Sequence, residues 1–367
     1  MAVSRLAEPP PLAGLPRFTA LRGHKSQIAA LSRLVARDQP GHAYLFEGPE
    51  GVGKDAIARA FVVRLACLSA PPEAGDPCGQ CRSCTAAMRG DHPDLGRLAR
   101  DGVTIKIDQV RALLGRLRYE PVLGRIKSVI VESADLLREE AANALLKTLE
   151  EPPPRTVFVL VTHRPQLLLQ TIRSRCQALR FAELSPADLT AVLAAEGIDP
   201  HAAQVAAALA EGSLTQARSL CDARRMEVVD FVARFTLALG TAPATDGVGF
   251  CDALGIRIAA AASEEGEEAV GAKTLARQDL PWVLDVMRAV LRDAVLLGAG
   301  LAGAGLPYAR LERELQALAD RAEPQVILDV IDACERLETR LTINPNPRLA
   351  LSALLAEAAL RLRSRPA

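Results

Sequence analysis

The sequence predicts an α/β domain with a parallel sheet, followed by an all-α region. Apolar runs alternate with segments of helical periodicity up to about residue 181, which is the pattern of a parallel sheet covered by helices. The run 156–161 is apolar and largely β-branched, as expected of a strand buried on both faces. Beyond residue 185 the chain is rich in Ala and Leu and has no strand-like run.

The elements of the α/β part follow from periodicity and from Gly and Pro punctuation. A helix over 27–37 precedes a strand at 41–46, which leads through a Gly-rich turn into a helix over 55–68. The segment 69–94 is rich in Pro, Gly and Cys and is predicted to be loop-like. The remaining predicted elements are, in order, helix 108–117, strand 128–131, helix 139–149 and strand 156–161.

The all-α part begins near Ser185, where Pro186 suits the first helical position. A small helical unit is predicted over 185–223, and helices from 281 to 363. Between them, 240–268 is interpreted as a loosely ordered connection that ends in a solvated acidic run, 264–268. The predicted domains are 1–183, 184–224 and 225–367.

Composition excludes several classes of protein. The 367 residues carry 44 Lys and Arg against 44 Asp and Glu, with 49% hydrophobic residues, so the chain is neither disordered nor a dedicated nucleic-acid coat. The first 16 residues include four prolines and no uninterrupted apolar stretch, and no run reaches the length of a membrane span. We therefore expect a cytoplasmic protein without membrane partners, in which the eight cysteines are ligands or buried thiols rather than disulfides.

A phosphate-binding loop is predicted directly after the first strand. The segment 48–55 reads GPEGVGKD, with the G-x-x-x-x-G-K spacing of Gly48, Gly53 and Lys54, and with Gly51 between them. Glycines let backbone amides approach phosphates, the following helix N-terminus attracts the anion, and Lys54 contacts the terminal phosphates. The loop therefore predicts an ATP or ADP site.

The hydrolytic residues of such a site are altered. Asp55 replaces the hydroxyl that holds Mg²⁺; it could contact Mg²⁺ or favour the helix dipole, and we prefer the second role. After strand 128–131, Glu132 is a candidate replacement for the Mg²⁺-binding Asp, but Ser133 cannot replace the carboxylate that polarises water. Efficient hydrolysis is not expected.

Four cysteines have metal-ligand spacing. Cys67, Cys78, Cys81 and Cys84 form C-x10-C-x2-C-x2-C over 67–84, which predicts a structural Zn²⁺ with a closed coordination shell. His92 is interpreted as a loop residue rather than a ligand. The other cysteines are interpreted as small buried hydrophobic residues: Cys176, Cys221, Cys251 and Cys334.

Two longer motifs point to a family. The segments 143–153 (NALLKTLEEPP) and 171–176 (TIRSRC), with the cysteine insertion after the phosphate-loop helix, resemble the AAA+ clamp-loader subunits of bacterial DNA polymerase III over about residues 20–220. Residues 141–143, the altered acidic site and 343–346 (INPN) are similar to the delta-prime branch rather than the motor subunit.

The resemblance implies roles for particular residues. Arg175 would be an arginine finger that reaches a neighbouring subunit's ATP, whereas its alternative is a surface or salt-bridged Arg, as expected for Arg173 and Arg180. Thr162, at the end of strand 156–161, would be the polar residue that senses the γ-phosphate. Thr215 stands where the motor subunit has Arg, a third departure from an active ATPase.

The resemblance also implies architecture and partners. It implies an AAA+ domain with a zinc insertion, a helical lid and a C-terminal helical collar. The partners would be a motor subunit and a delta-like subunit in a hetero-pentamer, with the sliding clamp and primer–template DNA reached through the complex. As a non-catalytic part of the DNA polymerase holoenzyme, the chain would supply Arg175 with little hydrolysis of its own. The rivals are an ATP-hydrolysing motor subunit and a stand-alone zinc- and nucleotide-binding regulator.

Overall fold

The computed structural model describes residues 15, 17–37, 40–71, 75–100, 102–241, 247–262, 275–301, 306–340 and 346–363. The chain divides into two compact units, residues 1–188 with 212–215, and residues 189–211 with 216–367. The acidic run 264–268 and residues 343–345 of the INPN motif lie outside the described residues. Within the described residues, no helix is long and apolar enough to cross a membrane.

The first unit contains a five-stranded sheet in which every pair of neighbouring strands is parallel, in the order β2-β3-β4-β1-β5. The predicted parallel α/β arrangement is confirmed. The strands are β1 (Ala43–Glu47), β2 (Leu95–Leu98), β3 (Lys127–Val131), β4 (Thr156–Thr162) and β5 (Gln177–Arg180).

The core of this unit lies on both faces of the sheet. Strands β1, β3 and β4 are buried along their whole length, as expected of central parallel strands between helices. Phe46, Phe61 and Val159 belong to the core on one face, and Leu145 and Phe158 to the core on the other. The helices of this unit are α1 (Lys25–Ala36), α2 (Lys54–Ala66), α3 (Arg82–Arg89), α4 (Ile107–Leu117), α5 (Glu139–Glu150) and α6 (Gln170–Arg173).

The described part of the second unit is helical and contains no strand, as the sequence predicts. Helix α7 starts at Pro186, and helix α9 starts at Leu214, so the first residues of both belong to the first unit. The helices from α7 onward are α7 (Pro186–Ala195), α8 (Pro200–Leu209), α9 (Leu214–Leu220), α10 (Ala223–Ala238), α11 (Gly247–Ala262), α12 (Leu280–Gly298), α13 (Glu312–Arg321), α14 (Pro324–Arg340) and α15 (Pro347–Arg363).

Two secondary-structure expectations are wrong, and one strand was not predicted. The segment 69–94 contains helix α3, whose N-cap Cys81 accepts the Cys84 amide with its side chain, so the cysteine spacing itself starts a helix. Strand β2 follows at once and pairs with β3, although its sequence LGRL has no β-branched residue. The segment 240–268 contains helix α11, where buried Phe250, Cys251 and Leu254 supply the packing that the small residues do not announce.

Candidate functional site

The candidate nucleotide site lies where β1, β3 and β4 end, at the carboxyl edge of the sheet, the usual ligand position in parallel α/β folds. The phosphate loop joins β1 to α2. Its glycines adopt positive φ values of 150° at Gly48, 77° at Gly51 and 95° at Gly53, and Gly53 is the N-cap of α2. Side chains are disfavoured at such angles, so the glycines meet the backbone requirement of this turn.

Lys54 turns back onto its own loop. Its Nζ donates to the carbonyl of Gly48 at 2.8 Å and also to the carbonyl of Pro49. The side chain is buried, and burial lowers the pKa of Lys54, opposed by the charges of Asp55, Glu50 and Asp135. The ammonium therefore holds the loop closed in this conformation, and a bound phosphate would have to compete with two carbonyls.

Glu132 is paired with two arginines. Its carboxylate accepts from Arg97 in a bidentate manner, with Nε to Oε1 at 2.5 Å and Nη2 to Oε2 at 2.6 Å. Arg59 of α2 adds a longer contact, Nη2 to Oε1 at 3.4 Å. Bidentate guanidinium–carboxylate pairs are among the strongest hydrogen-bonded pairs in proteins. The residue expected to coordinate Mg²⁺ is thus neutralised by guanidinium groups.

The residues around Glu132 do not supply a substitute base. Ser133 has a left-handed backbone, with φ of 48°, and it carries no carboxylate. The pKa of Asp55 is raised, first because neighbouring protein atoms displace water from its carboxylate and second because Glu132 repels its charge. Asp55 is also the acidic residue in the first turn of α2, where the helix dipole favours it.

Asp135 belongs to this site, and the sequence reasoning missed it. Its side chain is inaccessible to solvent, and Oδ1 accepts the hydroxyl of Thr162 at 2.7 Å. The other oxygen, Oδ2, has no hydrogen-bond partner and lies 3.9 Å from Nε of Arg164. A strand ending in β-branched residues and followed within four positions by a second acid was the available signal.

The hydroxyl group of Thr162 both donates and accepts a hydrogen bond within the protein. Besides donating to Asp135, its hydroxyl accepts the backbone amide of Arg164 at 3.0 Å. Both bonds hold the turn after β4, and Nδ1 of His163 lies 3.7 Å from Oδ1 of Asp135. The structure therefore brings Thr162 to the carboxyl edge of the sheet beside a buried acid.

Residues 212–215 cover the phosphate loop from one side. The amides of Leu214 and Thr215 donate to the carbonyl of Gly51 at 2.9 and 3.3 Å. A Cβ on Gly51 would lie 2.1 Å from the Ser213 hydroxyl oxygen and 3.2 Å from the Thr215 Cβ. Thr215 thus contacts the loop through its backbone amide, at the position where the resemblance places an Arg in the motor subunit.

Arg175 lies at the rim of the same unit, between α6 and β5. Its Nη2 pairs with Oε1 of Glu150 at 2.7 Å, and Nη1 donates to the carbonyl of Thr171 at 3.0 Å. About 36% of its side-chain surface is accessible. Arg180 instead pairs with buried Glu47 at 2.8 Å. Arg175 is therefore exposed enough to meet another molecule, and its partner Glu150 belongs to the long motif at 143–153.

The four predicted metal ligands meet in one cluster. The Sγ atoms of Cys67, Cys78, Cys81 and Cys84 all lie within 4.8 Å of one another. Tetrahedral Zn–S bonds of about 2.3 Å imply S–S distances of about 3.8 Å, and Cys78 Sγ and Cys84 Sγ are 3.9 Å apart. The donor set and its spacing fit a structural Zn²⁺.

Backbone amides support the sulfur atoms. Cys67 Sγ accepts from the amide of Cys78 at 3.4 Å, Cys78 Sγ from that of Cys81 at 3.3 Å, and Cys81 Sγ from that of Cys84 at 3.4 Å. Burial opposes ionisation of Cys81, but hydrogen bonds from Cys84 and Leu68 outweigh it and lower its pKa to about 6. Amide hydrogen bonds favour the thiolate, which is the form that binds metal.

His92 supports the cluster without joining it. It is buried, with Nε2 2.9 Å from the Ser83 hydroxyl and Nδ1 accepting the Asp94 amide at 3.1 Å. The Ser83 hydroxyl in turn donates to the carbonyl of Ala66 at 2.8 Å. The interpretation of His92 as a non-ligand agrees with this geometry, although the residue is a buried strut rather than a surface loop residue.

The cysteines outside the cluster divide into two pairs. Cys251 and Cys334 are buried, as expected of small hydrophobic residues. Cys176 and Cys221 are only half-buried, so the expectation of core burial is wrong for these two. Cys176 ends the turn after α6 and Cys221 follows the end of α9. Side chains at the ends of short helices are packed by fewer neighbouring residues than side chains at helix centres.

Comparisons with known proteins identify relatives of the first unit. The family model described as "DNA polymerase III, delta subunit" matches residues 23–185. The DNA polymerase III subunit delta' of Bacillus subtilis is 40% identical over 173 residues, which cover 47% of this chain and 52% of that protein. The subunit delta' of Pseudomonas aeruginosa is 43% identical over 152 residues, covering 41% of this chain and 46% of that protein.

A second subunit type is also similar. The DNA polymerase III subunit tau/gamma of Haemophilus influenzae is 37% identical over 212 residues, which cover 56% of this chain and 30% of that protein. The matched part of the chain thus spans about half, or less, of the length of these curated relatives. The family-model match, residues 23–185, lies in the unit that carries the phosphate loop and the cysteine cluster.

Proposed function

We propose that the protein is a delta-prime-like clamp-loader subunit, because residues 23–185 match the family model described as "DNA polymerase III, delta subunit" and parts of the chain are 40% and 43% identical to two DNA polymerase III subunits delta'. It helps to load the sliding clamp onto primed DNA during replication. It supplies Arg175 in trans to a neighbouring subunit's ATP and hydrolyses little or no ATP itself. In this role it is a non-catalytic subunit of a DNA-directed DNA polymerase holoenzyme.

The observation that carries the non-catalytic part of the proposal is the pairing of Glu132. A Mg²⁺-binding carboxylate must face the metal, but Glu132 is held by Arg97 at 2.5 and 2.6 Å. The next residue, Ser133, cannot activate a water molecule for attack on the γ-phosphate. Both acidic contributions to hydrolysis are therefore missing at once.

The phosphate loop still has the elements of a binding site. Gly48, Gly51, Gly53 and Lys54 would hold the phosphates of ATP or ADP, with Asp55, Glu132 and Thr162 around them. Such a nucleotide would be bound without being hydrolysed. It would displace Lys54 Nζ from the two loop carbonyls, but no residue would activate a water molecule to attack its γ-phosphate. The Zn²⁺ bound by the four cysteines would be structural, since four thiolates close its shell.

The assembly is the wider part of the proposal. The partners are the motor subunit and a delta-like subunit in a hetero-pentamer, and the clamp and primer–template DNA are reached through that complex, in the cytoplasm. We assign residues 1–183 to an AAA+ domain, 184–224 to a lid and 225–367 to a collar that oligomerises. The exposed fraction of Arg175 supports a role at a subunit boundary.

The ion pair between Arg175 and Glu150 is compatible with an arginine finger that exchanges Glu150 for a nucleotide when the complex assembles. In the isolated chain, Glu150 compensates the charge of Arg175 at 2.7 Å. Both side chains are partly exposed, so the pair is weak and can be exchanged for a triphosphate at little cost. The finger would then stabilise the charge that develops on the γ-phosphate.

Turnover by the isolated chain tests the absence of hydrolysis. We expect ATP hydrolysis at background level for the wild-type chain and for Lys54→Ala, measured as phosphate release with Mg²⁺ present. A Lys54-dependent rate comparable with that of the assembled complex would refute the non-catalytic assignment. It would favour the alternative of a motor subunit, which the similarity to the tau/gamma subunit keeps open.

Turnover by the assembled complex tests the finger. Arg175→Ala should lower the DNA-stimulated ATPase of the complex by about 10³-fold, the usual contribution of an arginine finger, without loss of assembly. Arg173→Ala, two residues away and exposed, is the matched control and should leave the rate unchanged. Failure of the chain to assemble with motor and delta-like subunits would favour the stand-alone regulator instead.

A further inference from the structure

Helix α4 ends in a surface with a strong local excess of positive charge. Between Asp108 and Glu132 the chain has five basic residues and a single acid, Glu120. Four of these basic residues are exposed, and none forms an ion pair with a described carboxylate. They are Arg111, Arg116, Arg118 and Arg125.

Apolar side chains are exposed among these arginines. Tyr119 is 76% accessible and Val122 is 74% accessible, so neither is part of the core. Arg118 is the C-cap of α4 with a right-handed helical backbone, and it follows Arg111 by seven positions, so the two side chains continue one helix face about 10 Å apart along the axis. Arg116 is five positions from Arg111 and lies on another face. We call Arg111 and Arg118 with Tyr119 and Val122 the arginine–tyrosine surface.

The loop after α4, which contributes Tyr119 and Val122 to this surface, is held by a buried carboxylate. The buried carboxylate of Asp94 accepts the amides of Val122, Leu123 and Gly124 at 2.8, 2.7 and 2.7 Å. Although burial raises it, the pKa of Asp94 is lowered because these amides stabilise the charged form. A three-amide clamp fixes the backbone of an exposed loop, which is the condition for a preorganised binding surface.

The base of the loop is also fixed to the cysteine cluster. Arg125 Nη2 donates to the carbonyl of Leu68 at 3.2 Å, next to Cys67. A Cβ on Gly124 would lie 3.3 Å from the Ala66 Cβ and 3.5 Å from a ring carbon of His92. Close contact at Gly124 and the buried His92 thus join the loop to the metal module, so that the module supports the surface.

The positive charge of this surface comes from its arginine side chains and not from the end of helix α4. The C-terminus of α4 carries the negative end of the helix dipole, but buried Lys127 donates to the carbonyl of Arg116 at 2.9 Å and offsets it. Exposed arginines beside a solvent-facing aromatic ring are the composition of single-stranded nucleic-acid sites, where guanidinium groups contact phosphates and the ring stacks on a base.

We propose that the arginine–tyrosine surface binds single-stranded DNA directly, with Tyr119 stacking on a base and Arg111 and Arg118 contacting phosphates of the same strand. This inference deepens the proposed function, since it assigns to this chain a DNA contact of its own. An acidic protein segment would satisfy the arginines, but it would leave the exposed Tyr119 ring without a stacking partner.

Fluorescence anisotropy of a labelled oligothymidylate, titrated with the full zinc-loaded chain at low salt, tests the proposal. Tyr119→Ala should weaken binding about tenfold, and Tyr119→Phe should retain it, because the stacking ring is kept. Arg118→Gln should lower the slope of log affinity against log salt by about 0.7, the value for one phosphate contact on a single strand.

The matched control is Arg234→Gln, since Arg234 is an exposed arginine of helix α10 outside the surface. It should change neither affinity nor salt slope. Equal weakening by Arg234→Gln, unchanged binding by Tyr119→Ala, or no binding by the wild-type chain would overturn the proposal. Preference for a duplex of the same length, or equal competition by polyglutamate, would overturn the assignment to single strands. The assay contains no ATP and no partner subunit, so failure would leave the proposed clamp-loader role standing.

Discussion

The phosphate loop and the cysteine cluster are both recognised from the spacing of a few residues, but they differ in where their chemistry resides. All four sulfur ligands of the cluster come from residues 67–84 and meet within 4.8 Å. The phosphate loop depends on side chains far along the chain, and these are either missing or engaged elsewhere. The function of a motif can be predicted from sequence alone only when the motif itself contains all the residues that the function needs.

The largest expected effect concerns the locally complete site. Removing Zn²⁺ with a chelator, or substituting Cys84→Ser, should lower the free energy of unfolding by more than about 4 kcal/mol, because metal binding contributes directly to folding at structural sites. Metal analysis together with chemical denaturation measures this effect. Cys221→Ser is the control at a half-buried thiol outside the cluster, and we expect a change within about 0.5 kcal/mol. Less than one Zn per chain in freshly purified protein would contradict the assignment.

The second prediction concerns the ion pair between Arg97 and Glu132, which lies near the phosphate loop in the fold but far from it in sequence. Arg97→Gln leaves Glu132, of which 17% is accessible, with only the 3.4 Å contact to Arg59. We expect a loss of about 2–3 kcal/mol of stability, since one half of a largely buried pair remains charged. Chemical denaturation of Arg97→Gln, Glu132→Gln and the double variant forms a cycle that isolates the pair.

The double variant should be more stable than Arg97→Gln alone, because it carries no unpaired charge. Strictly additive effects would mean that the two side chains are not coupled. In that case the engagement of Glu132 by Arg97 could not explain a lack of hydrolysis.

How much of the molecule follows from sequence depends on the range of the interactions. The central strands of the parallel sheet, the phosphate loop and the cysteine cluster each have a signature that can be read within a short stretch of sequence, and they follow from it, although the strands themselves pair over long distances along the chain. The pair of Arg97 with Glu132 joins residues 35 positions apart, and no local pattern announces it. Asp135 was missed for a related reason, since an Asp after a strand is usually solvated and only the fold buries it beneath Thr162.

Two missed helices show the limit of composition. Helix α3 was hidden by the Gly and Pro residues before it, and its start depends on Cys81 acting as an N-cap. Helix α11 has a Gly- and Ala-rich sequence, GVGFCDALGIRIAAAA. Its order comes from packing, since Phe250 stacks on Phe235 with ring centroids 3.7 Å apart. A local cap thus starts α3, whereas tertiary contacts override weak local propensity in α11.

The third prediction concerns the carboxylate of Asp94, which fixes the loop that contributes to the arginine–tyrosine surface. Asp94→Asn should cost about 2 kcal/mol at neutral pH, because the amides of Val122, Leu123 and Gly124 lose a charged acceptor. The folded pKa of Asp94 lies below its ordinary value, so the carboxylate contributes stability above an unfolded pKa of about 3.9. That contribution is lost as pH falls through the folded pKa.

The difference in stability between wild type and Asp94→Asn should therefore close below about pH 4, when followed by chemical denaturation over a series of pH values. Asp91→Asn is the control, because Asp91 is an exposed residue that pairs with Arg89 at the surface. It should have little effect at any pH. A difference that persists undiminished at acid pH would point to packing rather than charge.

The smallest expected effect separates backbone strain from lack of space within the phosphate loop. Gly51 and Gly53 both have positive φ values, 77° and 95°, so alanine is strained at either position by about 1 kcal/mol. A Cβ at Gly53 would meet nothing within 4 Å, whereas one at Gly51 would lie 2.1 Å from the Ser213 hydroxyl oxygen. Gly51→Ala should therefore lower the melting temperature more than Gly53→Ala, and Ser213→Gly in the Gly51→Ala background should recover the excess. Equal effects of the two alanines would mean that residues 212–215 do not close over the loop in solution.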